Sequence, residues 1–123
     1  MVLVDTSCWI EALRERGRED VRQRVAELLL DGEAAWCEIV RMELLQGVRA
    51  GREAKELRKL EESVQMISTD AKAWTIAGDL TVRARDAGLN VPVTDLIIAG
   101  TAVRHGVELE HLDKHLAALM KLK

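Results

Sequence analysis

An α/β domain, with a parallel sheet covered by helices on both faces, is the fold class that this chain predicts. Three observations carry it. Short apolar runs of strand length alternate with longer segments of helical periodicity, the pattern of βα units. The opening run, Val2-Leu3-Val4, is apolar throughout, as a strand buried on both faces must be. The 123 residues, 48% hydrophobic and 32% charged, suit one domain over residues 1–123 around one core, and no repeat, low-complexity tract or linker divides them.

The elements follow in order. Val2 to Thr6 reads as a buried strand, and Ser7 as the N-cap of a helix that begins Cys8-Trp9-Ile10 and ends at Gly17. A second helix, Glu19 to Leu30, carries Val21, Val25, Leu28 and Leu29 at helical spacing and stops at Asp31-Gly32. Ala34 to Cys37 is a short strand. Glu38 to Val48 is helical, and Gly51 separates it from a charged helix, Arg52 to Val64. Val64 to Ser68 is a strand candidate. Asp70 to Ala87 is a long helix with Ala73, Trp74, Ala77, Leu80 and Ala84 on one stripe, capped by Gly88. After a loop holding the only proline, Pro92, Thr94 caps a helix from Asp95 to His105, and Gly106 stops it. Val107 to Leu112 is the last strand, and Asp113 to Leu122 the last helix.

Composition narrows the function classes. Phe and Tyr are absent and only Trp9, Trp36 and Trp74 are aromatic, so the core is aliphatic and a base-stacking platform for single strands is disfavoured. The net charge of −3 does not exclude a nucleic-acid partner, because basic patches act locally. Arg14, Arg16, Arg18, Arg22 and Arg24 form one basic stretch, and Arg49, Arg52, Lys55, Arg58 and Lys59 another; singly, each reads best as part of a solvated helix face. Cys8 and Cys37 form no CxxC knuckle and read as buried free thiols in a reducing cytoplasm; no leader segment is expected. No apolar stretch is long enough to cross a membrane. His105, His111 and His115 match no HExxH pattern. The last two flank a strand-to-helix junction and are not expected to share a face, so zinc is not expected. Cys8 has no partnered base and reads as packing. No glycine-rich phosphate loop is present.

The acids carry the functional signal. Asp5 and Asp113 each close a strand run, and Asp95 opens an almost wholly apolar helix. Glu43 projects between Ile39 and Val40, on the apolar arc of its helix, with Gly47 one turn on leaving room for something to approach. Taken singly, each has a structural use: Asp5 as a cap, Asp95 as a helix-dipole acid worth ~0.3–1 kcal/mol, Asp113 as a turn or cap residue, Glu43 as an arginine's partner. Taken together, they fall where the carboxyl ends of parallel strands form a ligand crevice. Acids gathered there repel unless a cation or shared protons intervene, and all-oxygen ligands suit Mg²⁺ or Mn²⁺. Metal-assisted chemistry on phosphate is the expectation.

Four segments also resemble a known family. Val2-Leu3-Val4-Asp5-Thr6-Ser7-Cys8-Trp9-Ile10-Glu11 resembles the opening of PIN domains of the VapC toxin type. Glu43-Leu44-Leu45-Gln46-Gly47 resembles their second acidic motif, Val91-Pro92-Val93-Thr94-Asp95-Leu96-Ile97-Ile98-Ala99 the third, and Leu112-Asp113-Lys114-His115-Leu116 the fourth. The resemblance runs over nearly the whole chain in the family's order. It implies a PIN-like three-layer α/β/α domain with a short central parallel sheet. It implies a Mg²⁺- or Mn²⁺-dependent endoribonuclease, the toxin of a type II toxin–antitoxin system, with a VapB-type antitoxin and a homodimer as its assemblies. By motif position Asp5, Glu43, Asp95 and Asp113 would be the catalytic, metal-binding acids, with Thr6 or Ser7 positioning water. The chain departs from the family's pattern after the last helix, where little room remains for a further short strand.

Two other readings stand beside this one. An inert PIN-like interaction module would use its acids to bind a basic partner segment, and its apolar helices and Trp9 as a groove for an antitoxin-like helix. A Mg²⁺-dependent phosphatase would use Asp5 as nucleophile, which Thr6-Ser7-Cys8 suits poorly.

Overall fold

The structure, a computed structural model, describes residues 1–123. Four strands, β1 (Val2–Val4), β2 (Ala34–Trp36), β3 (Gln65–Met66) and β4 (Glu108–Glu110), form one sheet in the order β3-β2-β1-β4. Every pairing is parallel. Val2 and Leu3 lie opposite Ala34 and Ala35 on one side; on the other, Val2, Leu3 and Val4 lie opposite Glu108, Leu109 and Glu110. Parallel strands need crossovers, and six helices supply them, two per crossover: α1 (Thr6–Leu13), α2 (Glu19–Leu30), α3 (Glu38–Gly47), α4 (Arg52–Ser63), α5 (Ala71–Asp86) and α6 (Val93–His105); a seventh, α7 (Lys114–Leu122), follows β4. The result is a three-layer α/β/α arrangement in which α1 packs on α2, α3 and α4, while α5, α6 and α7 pack on one another.

The core sits where the sheet meets these helices. Leu3 and Val4 on β1, Ala35 and Trp36 on β2, and Trp9 on α1 are fully buried. Each large aliphatic residue so buried contributes roughly 1.5–3 kcal/mol. The rings of Trp9 and Trp36 lie 5.6 Å apart at 58°, an inclined contact that fills space without Phe or Tyr. Burial of Trp9 removes it from any docking groove for a partner helix.

The seam between α5 and α6 is closer than side chains normally allow. A Cβ added to Gly100 would stand 2.8 Å from the Cβ of Ala77 and 3.0 Å from the carbonyl oxygen of Ala73. This explains one departure from expectation. Trp74 is not on the buried stripe with Ala73, Ala77, Leu80 and Ala84; it is 54% exposed, because the seam admits only small residues and the bulky neighbour is turned to solvent.

Element ends also differ. Asp5, not Ser7, caps α1. The sixth helix starts at Val93 with Pro92 in the capping position, not at Asp95 with Thr94, because proline's fixed φ suits the helix entry and leaves no donor unsatisfied. The strands are shorter than their apolar runs. Beyond β1 the ladder survives only as Asp5 N–H donating to the Glu110 carbonyl, at 2.9 Å, before the chain turns into α1. No strand follows α7, and β4 forms the sheet edge. No helix is long and apolar enough to cross a membrane.

Candidate active site

The sheet order places β1 between β2 and β4, so the chain leaves β1 and β4 side by side at their carboxyl ends. Asp5 stands at the first of these ends. Its Oδ2 accepts from the Ser7 amide at 3.3 Å and from Ser7 Oγ at 2.7 Å, leaving it 4% exposed. Ser7 Oγ in turn accepts from the amide of Leu112, at 3.3 Å, in the loop that follows β4. One hydroxyl thus ties the two strand ends together across the sequence.

Glu43 approaches from α3. It is half-buried, and its Oε1 accepts from Thr6 Oγ1 at 2.7 Å, so the first turn of α1 holds two of the four acids, one through Ser7 and one through Thr6. Asp113 caps α7, with Oδ1 accepting from the His115 amide at 2.6 Å.

Asp95 lies in the first turn of α6, where the helix dipole favours a carboxylate. It is nevertheless only 7% exposed, and its buried Oδ2 has no hydrogen-bond partner. Burial pushes its carboxyl up to about 6; the charges of Asp113, Asp5 and, more weakly, Glu43 push it the same way, against His115. The charges of the other three sequence-predicted acids thus all reach Asp95, but Asp5 and Glu43 do not join its tightest cluster. Asp95, Asp113 and His115 are the tightest group, offering ligand atoms that all lie within 4.8 Å of one another.

His115 is the residue that sequence reasoning set aside. Its Nδ1 lies 3.2 Å from Asp113 Oδ1 and 3.8 Å from Asp95 Oδ2. The available signal was its place two residues after a capping aspartate, which folds it back over the cap. His111 does not join it; its Nδ1 accepts from the Asp113 amide at 3.2 Å. His105 lies at the far end of α6 from Asp95, its Nε2 2.7 Å from the Ser68 carbonyl oxygen. Cys8 and Cys37 are free and buried, and burial pushes each thiol up to about 11, which removes them as nucleophiles near neutral pH.

A parallel α/β domain with acids converging from β1, α3, α6 and the β4–α7 loop belongs to the class whose crevice suits a hard cation. Comparison with known proteins carries this further. The PIN domain family model matches residues 2–122. Two curated relatives, VapC ribonuclease Mb1587 of Mycobacterium bovis and ribonuclease VapC11 of Mycobacterium tuberculosis, are 33% identical over 118 residues, covering 92% of this chain and 87% of each relative. The fold matches VapBC2 from Rickettsia felis, solved bound to a promoter DNA fragment, with a TM-score of 0.81 and 21% identity over 96% of this chain and 92% of that one. It also matches VapBC-5 from Mycobacterium tuberculosis, described as a member of the VapBC family of toxin–antitoxin systems. The TM-score there is 0.70 with 21% identity, over 96% of this chain and 90% of that one. The chain belongs to the PIN domain family, among its VapC-type members.

Proposed function

We propose that this chain is a Mg²⁺- or Mn²⁺-dependent endoribonuclease, the toxin of a VapBC-type pair, acting through Asp5, Glu43, Asp95 and Asp113. The observation that carries the reading is the buried, unpartnered Oδ2 of Asp95 beside Asp113 and His115, with the charges of Asp5 and Glu43 also acting on it. Burying a charge without a partner costs several kcal/mol, and a divalent cation is the partner that four facing acids share. The donor set fits such an ion: Asp5 and Asp95 would hold it most directly, with Glu43 and Asp113 completing the shell. A divalent ion held there would supply Lewis acidity for a nucleophilic water and positive charge against the phosphodiester.

The chain's own residues supply the frame. Ser7 holds the Asp5 carboxylate toward the β4 loop, and Thr6 holds Glu43, so both acids are oriented by hydrogen bonds from the first turn of α1. His115 stands between Asp113 and the buried Oδ2 of Asp95. RNA as substrate is supported by the ribonuclease relatives at 33% identity. A VapB-type antitoxin as partner is supported by the VapBC assemblies among the structural matches. A homodimer is supported by the exposed stripe of Trp74, Gly78 and Val82 at one-turn spacing on α5.

The test is to induce the chain without an antitoxin in a bacterial host, beside its Asp95→Asn variant, and map new RNA 5′ ends. Discrete ends appearing only with the unmutated chain are expected, and they name the target RNA. Identical end maps from the two folded proteins would overturn the reading.

A further inference from the structure

A groove of about 520 Å³ opens beside the acidic site, between the C-terminal ends of α1 and α3 and the start of α4. Glu43 forms part of its wall, so groove and acidic crevice are contiguous. Four guanidinium groups line it: Arg14 and Arg16 from the end of α1, Arg49 and Arg52 from the α3–α4 junction. Besides Glu43, only Glu15 and Glu53 oppose them. Arg52 is fixed, donating from Nη1 to the Leu13 carbonyl at 2.9 Å. Arg14 makes only a 4.0 Å contact with Glu11, and the side chains of Arg16 and Arg49 engage no acid. Gly47 keeps the groove open on the α3 side, for a Cβ built there would meet nothing within 4 Å. Its helical backbone does not require glycine. The groove therefore combines unpaired cations, room and direct access to an acidic centre that cannot itself hold an anion.

We propose that this groove is a phosphate-backbone subsite that seats single-stranded RNA next to the scissile bond, with Arg16 and Arg49 as its principal contacts. The inference rests on the ribonuclease reading for the polymer's identity. Carboxylates repel phosphate, so the chain's cations must supply the hold that the acids cannot. Arginine is suited to this because its planar fork meets two phosphate oxygens at once. The groove's size is that of an ordinary small-molecule site, enough for a nucleotide-sized segment and not for a duplex.

The test uses the full chain in chelator, so that RNA binds without turnover, and a labelled single-stranded RNA of mixed sequence titrated at several salt concentrations. Arg16→Gln with Arg49→Gln weakens binding about tenfold and lowers the log–log salt slope by about 1.4, since each single-strand phosphate contact contributes roughly 0.7. Gly47→Glu, which puts a carboxylate into the open space, weakens binding as well, whereas Gly47→Ala does not. In Mg²⁺ the double variant shows its loss in KM and not in kcat. Unchanged binding and slope in the double variant, or preferential capture of poly-glutamate over RNA, would overturn the groove assignment. The two readings fail separately. Cleavage that ignores Arg16 and Arg49 removes the subsite and leaves the ribonuclease; arginine-dependent binding without cleavage in Mg²⁺ or Mn²⁺ leaves the subsite and removes the ribonuclease.

Discussion

Asp95 concentrates the physics of this protein in one side chain. Its carboxyl, ordinarily at 3.8, is pushed up to about 6 by burial and by the neighbouring acids. Between those values the folded state holds a proton that the unfolded chain has released, so stability falls as pH rises from about 4 to about 6 and stays low above that. Asp95→Asn removes the charge with little change in shape. In chelator at pH 8 the variant is expected to melt at a higher temperature than the parent, with the gain shrinking toward zero at pH 4, as thermal unfolding at the two pH values measures. A parent that is the more stable at pH 8 contradicts this account of Asp95. The acids stood out in the sequence because each sits where a charge has a better alternative or where a strand ends. Their partners did not. Asp5 and Ser7 are both capping-type residues, and the sequence alone did not say that α1 starts at Thr6, which makes Asp5 the cap and Ser7 its donor. His115 folds back only because Asp113 caps α7.

At the level of elements, the decisive contact is α5 against α6, which positions the N-terminal turn bearing Asp95. The seam is set by Ala73, Ala77 and Gly100. Gly100→Val forces it apart and costs about 1–3 kcal/mol. Gly78→Ala, on the open face of α5, gains up to about 1 kcal/mol from helix propensity. Urea unfolding of both variants checks the contrast, and a Gly100→Val protein as stable as its parent would remove the seam from the argument. Helical periodicity revealed that α5 has a buried stripe, yet it placed Trp74 there. A 100° step leaves Ala73 and Trp74 near the same boundary, and only the packing distance to α6 decides which one enters. Segment order and type were legible throughout. The ends moved by a few residues, most visibly at Pro92, where proline at the helix entry outweighed the better capping side chain of Thr94.

Across the whole molecule, the candidate site depends on a topology that brings the segments bearing positions 5, 43, 95 and 113 toward one edge of the sheet. The alternation of strands and helices predicted a parallel sheet, and a ligand crevice at its carboxyl edge follows from that class alone. The strand order β3-β2-β1-β4 did not follow from periodicity, since nothing local to β4 says that it pairs with β1. It is the order that brings Asp113 beside Asp5, through the Ser7–Leu112 link. The neighbouring acids add to the cost of ionising buried Asp95; on the proposed reading, an ion at a hundredfold its dissociation constant would add about 2.7 kcal/mol to stability. The most direct test of the shared cation site is a Mn²⁺ titration of the partner-free protein and its Asp95→Asn variant, with bound ion and RNA cleavage read on the same samples. Saturable Mn²⁺ binding and cleavage in the parent, both lost in the variant, is the predicted result. Equal Mn²⁺ affinity and equal cleavage in the two proteins would contradict it.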